Sequence, residues 1–212
     1  MTITVAIAQK KGGATKTTTA LNLAGALMEK GFSVRIADMN TEQQSALKWA
    51  KRGNIFKNKV IFISDKEVKQ GLDNIKKEKI DFIILDLPPE LSMKALKAAM
   101  LADFCLVPCQ ASTLDLESAE ETIEFLETIK KPFWLFPSNI KKGTSIGKKL
   151  PDTLRQLGNT IDIPIHNKVS IVEAAMLGEW IGKYKPKSEE HLEYRRLAEK
   201  VVQIAKGEYK DE

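Results

Sequence analysis

The residues best suited to chemistry lie in one short stretch, QKKGGATKTTT, which runs from Gln9 to Thr19. Its two glycines let the backbone turn tightly, Lys16 supplies a positive charge, and Thr17 supplies a hydroxyl suited to Mg²⁺. The stretch follows an apolar run and precedes a helical pattern, so a helix begins at the loop and directs its positive dipole end toward it. These features predict a phosphate-binding loop.

Two carboxylates are expected at the same edge of the fold. Asp38 ends the second predicted strand, and Asp86 ends the most apolar one, DFIILD. The carboxyl ends of neighbouring parallel strands converge near the loop, so both carboxylates are expected close to a ligand that it holds. The plainer alternatives are that Asp86 caps a strand end and that Asp38 caps a turn.

Apolar strand patterns alternate with helical patterns along the whole chain. Strands are predicted at 3–9, 32–38, 59–64, 81–86, 103–108, 132–137 and 161–165, and helices at 16–30, 45–52, 66–78, 91–101, 115–129, 145–157, 170–177 and 188–206. This alternation implies right-handed crossovers and a parallel sheet covered on both faces. We therefore expect one α/β domain over residues 1–212, with a frayed tail at 207–212.

Composition restricts the function classes only loosely. The chain of 212 residues is long enough for one sizeable core, and no apolar run reaches the length of a membrane span. Cys105 and Cys109 lack the spacing of a disulfide framework, a zinc site or an iron–sulfur site, which favours a reduced cytoplasmic protein. The net charge of +5 slightly favours anionic partners, although a solvated basic surface is an equal alternative.

The loop fits the pattern x-K-G-G-x-x-K-[ST], with Lys11 as an extra lysine, and this pattern resembles the deviant Walker A motif of the ParA/MinD family of ATPases. Three further segments are similar to other parts of that family, namely IADMNTEQQSALKW, DFIILDLPPELSMKALKAAMLADFCLVPCQASTLDLESAEETIEFL and NKVSIVEAAMLGEWIGKYKPKSEEHLEYRRLAEKV. The resemblance therefore covers essentially the whole chain. It implies a single-domain P-loop NTPase fold. Because no N-terminal extension precedes the loop, the chain resembles the small ParA type.

The resemblance also implies a role for each site residue. Lys16 would lie against the β- and γ-phosphates of ATP, Thr18 would contact the α-phosphate, and Thr17 and Asp86 would hold Mg²⁺. Lys11 would reach the nucleotide of a second subunit as an arginine finger does, and Asp38 would position the attacking water. The expected catalytic residues are Lys11, Lys16 and Asp38, and the expected nucleotide-binding residues are Lys11, Gly12, Gly13, Ala14, Thr15, Lys16, Thr17 and Thr18. The alternative for Lys11 is an ordinary surface lysine.

Three positions depart from the family pattern. Thr15 replaces a common glycine, which is costly if the position needs a positive φ. Asn40 and Thr41 stand where aspartate and proline are usual. We therefore expect slow hydrolysis, and a nucleotide switch that does not hydrolyse at all is one alternative.

The implied function is ATP-dependent DNA partition by a cytoplasmic, nucleoid-associated protein. ATP would drive formation of a homodimer that binds DNA without reading its sequence, and a ParB-like or adaptor protein would stimulate hydrolysis. Candidate DNA contacts are Lys183, Lys185, Lys187, Arg195 and Arg196. The polar C-terminal segment argues against membrane binding. Ser138 and Asn139 could touch the adenine. Alternatives are a positioner of a protein cargo or of the division machinery, and a metabolic ligase like dethiobiotin synthetase.

Overall fold

A computed structural model describes residues 2–64, 67–89 and 93–209 of the chain. Among them, seven parallel strands form one sheet in the order β3-β2-β4-β1-β5-β6-β7. The strands are β1 (Ile3–Ile7), β2 (Val34–Asp38), β3 (Val60–Phe62), β4 (Phe82–Asp86), β5 (Phe104–Cys109), β6 (Phe133–Ile140) and β7 (Ile165–His166). The predicted α/β fold with a parallel sheet is confirmed.

Helices connect the strands and cover both faces of the sheet. They are α1 (Lys16–Glu29), α2 (Ser45–Arg52), α3 (Val68–Lys77), α4 (Met93–Leu101), α5 (Thr113–Thr128), α6 (Ser145–Leu157), α7 (Val169–Met176), α8 (Ile181–Tyr184) and α9 (Glu189–Ala205). Helices α1, α2 and α7–α9 contribute to the apolar cluster on one face, and α3–α6 contribute to the cluster on the other. Alternation along β1 shows the division, since Val5 and Ile7 belong to the first cluster and Ala6 and Ala8 to the second.

The register of the central strands sets the position of the site. Asp86 of β4 pairs with Ile7 of β1 on one side and with Asp38 of β2 on the other. The loop between β1 and α1 leaves the sheet at this same edge. Two carboxylates and the glycine-rich loop therefore lie together because three apolar strands end at the same level.

A close helix contact fixes the direction of α1. Its Gly25 lies against the buried ring of Trp180, just before α8, and a Cβ built on Gly25 would stand 2.2 Å from Trp180 Cγ. The glycine thus allows the C-terminal segment to pack directly on the helix that begins at the loop. Nearby, Asn22 of α1 accepts a hydrogen bond from the backbone N–H of Ile181 at 2.8 Å through its side-chain oxygen.

We expect Gly25→Ala to destabilise the protein by about 1–3 kcal/mol. In a helix without this contact, the same change would stabilise by up to about 1 kcal/mol. Urea unfolding measures the difference. In a Trp180→Leu background, which opens space, the alanine should become neutral or favourable. A gain of stability from Gly25→Ala in the wild-type background would contradict this packing.

The C-terminal third differs from the expectations in two places. The strand expected at 161–165 is reduced to Ile165–His166 and an isolated bridge between Thr160 and Leu135, because Pro164 has no N–H for the ladder. Helix α8 was not predicted, since four residues carry no periodic signal. Residues 207–209 of the tail that is expected to fray are described, and there the Tyr209 hydroxyl donates to the carbonyl of Thr160 at 3.1 Å. Residues 210–212 lie outside the described residues.

The ring of Tyr209 also packs against the protein, since it stands edge-on to Trp134 with 6.4 Å between the ring centroids.

None of the helices in the described part of the chain is long and apolar enough to cross a membrane.

Candidate phosphate-binding site

The loop between β1 and α1 combines two left-handed residues. Gly13 has φ 74°, and Thr15, directly before α1, has φ 61°. The position of Thr15 therefore does require a positive φ, which costs a β-branched residue free energy that glycine avoids. The Thr15 and Ser138 hydroxyls share a hydrogen bond of 2.7 Å, and the Thr15 carbonyl accepts from the N–H of Thr19 at 2.8 Å. These contacts hold threonine in the glycine-favouring conformation.

Lys16 is folded back over the loop. Its side chain is buried, and Nζ donates to the carbonyl of Lys11 at 3.0 Å. Burial lowers the pKa of Lys16 to about 8, and the opposing attraction of Asp86 is the smaller effect. A cation held out of water at a turn of backbone N–H groups is poised to bind an anion, because a phosphate would restore the interactions that burial removes.

Thr17 and Asp86 form a pair of oxygen ligands beside Lys16. The hydroxyl of Thr17 donates to Oδ2 of Asp86 at 2.7 Å. The other oxygen, Oδ1, is buried, and no described residue provides it with a hydrogen-bond partner. Burial raises the pKa of Asp86 to about 7; the Thr17 hydrogen bond opposes the rise, and the nearby Asp38 carboxylate adds to it. An orphaned carboxylate oxygen beside a hydroxyl fits Mg²⁺, which prefers oxygen ligands.

Asp38 lies next to Asp86 but is turned toward the segment that leads into α2. It is fully buried, with Oδ1 accepting from the N–H of Asn40 and Oδ2 from the N–H of Leu47, each at 3.0 Å. In turn, Oδ1 of Asn40 accepts from the N–H groups of Glu42 and Gln43. Asp38 and Asn40 therefore shape this segment, and the role of Asp38 toward water stays a prediction.

Lys11 points to a different partner from Lys16. Its Nζ donates to Oδ1 of Asp115, in the first turn of α5, at 2.6 Å. Ser112 caps that helix by accepting from the N–H of Asp115, and its hydroxyl donates to the other Asp115 oxygen. Sequence reasoning gave Asp115 no role, although the S-x-x-D spacing of Ser112 and Asp115 is the signature of a helix N-terminus.

A pocket of about 420 Å³ opens above the loop. Its walls include residues 12–18 and Asp86, and α2 supplies the cations Lys48 and Arg52. Sequence reasoning did not assign these two cations to the site. The volume and the positive lining suit an extended polyanion such as a triphosphate.

A second cleft of about 100 Å³ lies on the other side of Thr15 and Thr18. Ser138 and Asn139, named from the sequence as possible base contacts, both line it, together with the buried Tyr194. The cleft and the pocket thus share the start of α1 as a common wall, as the base and phosphate parts of one nucleotide site would.

The basic residues proposed for DNA lie around α8 and the start of α9. Two of them are engaged: Lys185 lies 3.7 Å from Glu190, and Arg195 lies 3.2 Å from Glu29. Lys183, Lys187 and Arg196 are exposed and take part in no ion pair within the described residues.

Asp86→Asn is expected to stabilise the ligand-free protein at pH 8. The folded-state pKa of about 7 exceeds the ordinary 3.8, so ionising Asp86 costs stability progressively from about pH 4 to 7. The full cost, present above pH 7, is roughly 4 kcal/mol at most. Thermal unfolding at pH 5 and pH 8 should show that Asp86→Asn raises the unfolding temperature relative to the wild type more at pH 8 than at pH 5. The variant should also lose the stabilisation that Mg²⁺ gives the wild type. The exposed control Asp73→Asn should show neither effect; a destabilised Asp86→Asn protein at pH 8 would contradict the prediction.

Comparison with known proteins places this site in a family. The family model described as AAA domain matches residues 2–61 and 51–135. A carboxysome distribution protein A of Halothiobacillus neapolitanus is 32% identical over 132 residues, which is 60% of this chain and 60% of that protein. The chain thus spans less than two thirds of that relative. The chromosome-partitioning ATPase Soj of Thermus thermophilus is 25% identical, covering 93% of this chain and 94% of Soj.

Solved structures share the fold over nearly the full length. The septum site-determining protein MinD of Pyrococcus horikoshii, complexed with Mg-ADP, superposes with a TM-score of 0.78 at 20% identity, covering 100% of both chains. A plasmid partition protein of Borrelia burgdorferi bound to AMPPNP also gives 0.78 at 20% identity, covering 96% of this chain and 100% of that one. Together with the match over residues 2–135, the loop and the two strand-end carboxylates, this shows that the chain belongs to the ParA/MinD family of P-loop ATPases.

Proposed function

We propose that this chain is a partition-type ATPase that binds Mg-ATP, pairs with a second copy of itself and then binds DNA without sequence preference. The observation that carries the proposal is that two lysines of the same loop, Lys16 and Lys11, differ in burial and in hydrogen-bond partner. Lys16 is buried and lines the phosphate pocket, whereas the Lys11 side chain is 37% exposed and is bound to Asp115. One cation is suited to the chain's own nucleotide, and the other is available to a partner.

ATP and Mg²⁺ are the ligands that the pocket suits best. Backbone N–H groups at Gly12 and Gly13 and the ammonium of Lys16 would bind the phosphates. Thr17 and the orphaned oxygen of Asp86 would hold the metal, which neutralises phosphate charge when bound. The relatives solved with Mg-ADP and with AMPPNP support this choice.

Hydrolysis is proposed to be slow and to depend on the dimer. Lys11 would offset the charge that develops on the phosphoryl oxygens of the facing subunit, as an arginine finger does. Asp38 is fully buried, so it would position the attacking water only after water gains access to its carboxylate. That requirement favours slow ATP hydrolysis over rapid turnover.

DNA binding is proposed for the exposed cations Lys183, Lys187 and Arg196, with Lys185 and Arg195 at their edge. Exposed cations that no carboxylate neutralises can contact phosphates without first breaking an ion pair. A nucleoid-associated, cytoplasmic location and a ParB-like partner that stimulates hydrolysis belong to the same proposal.

A second candidate is the positioning of a protein cargo by the same ATPase cycle. It is favoured by the 32% identity to a carboxysome distribution protein, which exceeds the 25% identity to Soj, although over a shorter alignment. Both candidates need the same site, so they differ in the partner that stimulates hydrolysis and not in the chemistry.

Sedimentation of the purified protein tests the proposal. The protein would be examined without nucleotide, with ADP, with ATP and with a non-hydrolysable ATP analogue, each with and without duplex DNA of arbitrary sequence. Dimers that bind DNA only in the triphosphate states would support it. A protein that stays monomeric and does not bind DNA under any of the four nucleotide conditions would overturn the proposal in favour of a metabolic P-loop enzyme.

A charge comparison locates the DNA surface in the same assay. Changing Lys183, Lys187 and Arg196 to alanine should weaken DNA binding and reduce its salt dependence, while leaving ATP binding intact. The control changes three exposed lysines of α3, namely Lys69, Lys76 and Lys77. Equal losses in the two triple variants would contradict this placement of the surface.

A further inference from the structure

Two hydrogen bonds, one from a side-chain amide to the backbone and one between two side-chain amides, join the phosphate loop to the second cleft, the one lined by Ser138 and Asn139, which we call the base cleft. The side-chain Nε2 of Gln110, just after β5, donates to the backbone carbonyl of Gly13 at 2.9 Å. Its Oε1 accepts from Nδ2 of Asn139 at 2.6 Å. Asn139 lines the base cleft and has φ 58°, a left-handed conformation that asparagine adopts more readily than most residues.

The first bond fixes the orientation of both amides. A backbone carbonyl can only accept, so the Gln110 atom that faces Gly13 must be the nitrogen. The other terminal atom of Gln110 is then the oxygen, which can only accept, so the Asn139 atom that faces it must be the nitrogen. A 180° flip of either amide would bring two acceptors or two donors together.

This orientation determines what Asn139 offers to a ligand. Its nitrogen keeps one N–H after bonding Gln110, and its oxygen has no described hydrogen-bond partner. An amide oxygen beside an N–H matches adenine, whose exocyclic amine donates and whose adjacent ring nitrogen accepts. A 6-oxopurine presents a carbonyl in place of the amine, and would meet the amide oxygen with a second acceptor.

We propose that Gln110 is a positioning residue that makes the site select 6-aminopurine over 6-oxopurine nucleoside triphosphates, by holding the Asn139 amide in one orientation. The inference rests on the proposed function, since it names the base specificity of the same nucleotide site. Because Gln110 also bonds Gly13, a nucleotide that orders the loop also stabilises the amide orientation.

The test compares ATP with ITP, which carries a carbonyl in place of the amine and no other exocyclic group. Dissociation constants are measured by calorimetry with Mg²⁺ for the wild type and for Gln110→Met, which keeps the side-chain length but removes both hydrogen bonds. The wild type should prefer ATP by roughly tenfold or more. Gln110→Met should reduce the preference to about twofold or less, because the Asn139 amide is then free to turn.

Two further variants separate positioning from a general structural role. In an Asn139→Ala background, Gln110→Met should leave the ATP-to-ITP ratio unchanged, since no amide remains to be held. The exposed control Gln70→Met on α3 should keep the wild-type ratio. Thermal unfolding checks that each variant is folded.

The outcomes distinguish this inference from the proposed function. If Gln110→Met weakens ATP and ITP equally, or keeps the wild-type ratio, the positioning role is overturned while the nucleotide site stands. If the wild type binds neither triphosphate, the proposed function fails, and the base specificity fails with it.

Discussion

Lys16→Ala is expected to lower the affinity for Mg-ATP by about a hundredfold or more. The buried ammonium lies over the loop at 3.0 Å from the carbonyl of Lys11, and it is already desolvated before a ligand arrives. Its bonds to the phosphates therefore replace no strong hydration, and their loss leaves the phosphate charge uncompensated in a partly buried pocket. Titration with a fluorescent ATP analogue measures the effect.

The control for this result is Lys30→Ala, at the opposite end of α1. Lys30 pairs with Glu199 at 2.6 Å and lies far along the helix from the loop, so its loss should leave ATP affinity unchanged. An ATP affinity of Lys16→Ala within about threefold of the wild type would show that Lys16 does not bind the phosphates.

The pH dependence of binding gives an independent check on the same lysine. In the ligand-free protein the pKa of Lys16 is about 8, so the group loses its proton above that pH. Bound phosphate favours the charged form, and ATP binding above pH 8 must therefore take up a proton. The affinity of the wild type should fall as pH rises from 8 to 10, whereas that of Lys16→Ala should lack this decline.

The sequence was sufficient for the central sheet and for the groups around the loop. β1 and β4 are nearly continuous apolar runs. Parallel strands that end together place Asp38 of β2 beside Asp86 of β4, and both beside the glycine-rich loop. The question raised by Thr15 could be asked from the sequence, because the preference for glycine at positive φ is a local backbone property. The φ of 61° at Thr15 in the structure shows that this position does adopt a positive φ.

The remaining features depend on contacts between distant parts of the chain. Asp115 is 104 residues from Lys11, and Gln110 is 97 residues from Gly13. No periodicity or motif specifies which polar side chain will face which backbone group across such a separation. Lys48 and Arg52 were missed for a related reason, since the direction of α2 depends on how Asp38 binds the N–H groups of Asn40, before the helix, and of Leu47, in its first turn.

Two inactive variants, Lys11→Ala and Asp38→Ala, are expected to recover hydrolysis when mixed. Each alone should lose roughly a hundredfold or more in phosphate release, measured with labelled ATP and DNA over long incubations. In a mixed dimer, the Lys11→Ala chain binds ATP next to its own Asp38 and receives Lys11 from the other chain. One of the two sites is then complete, and an equal mixture should regain about a quarter of wild-type activity.

Lys10→Ala is the matched control, because Lys10 precedes Lys11 in the loop and pairs with Glu121 at the surface, at 2.5 Å. The Lys10→Ala variant should keep wild-type activity on its own, without being mixed with a second variant. If the mixture stays inactive although both variants bind ATP and dimerise, Lys11 acts on its own chain's nucleotide and the exchange between subunits is excluded.

The contact with Asp115 in the single chain is compatible with the proposed role of Lys11 across a dimer. The Lys11 side chain is 37% exposed and that of Asp115 is 9% exposed, and the Asp115 carboxylate keeps the hydrogen bond from the Ser112 hydroxyl when Lys11 leaves. A triphosphate with its larger charge, buried between two subunits, competes easily for the ammonium. Asp115→Asn should therefore leave the recovery in the mixture intact, because the proposed role of Asp115 toward Lys11 is to hold it before a partner arrives. A loss of recovery would instead assign Asp115 to the assembled site.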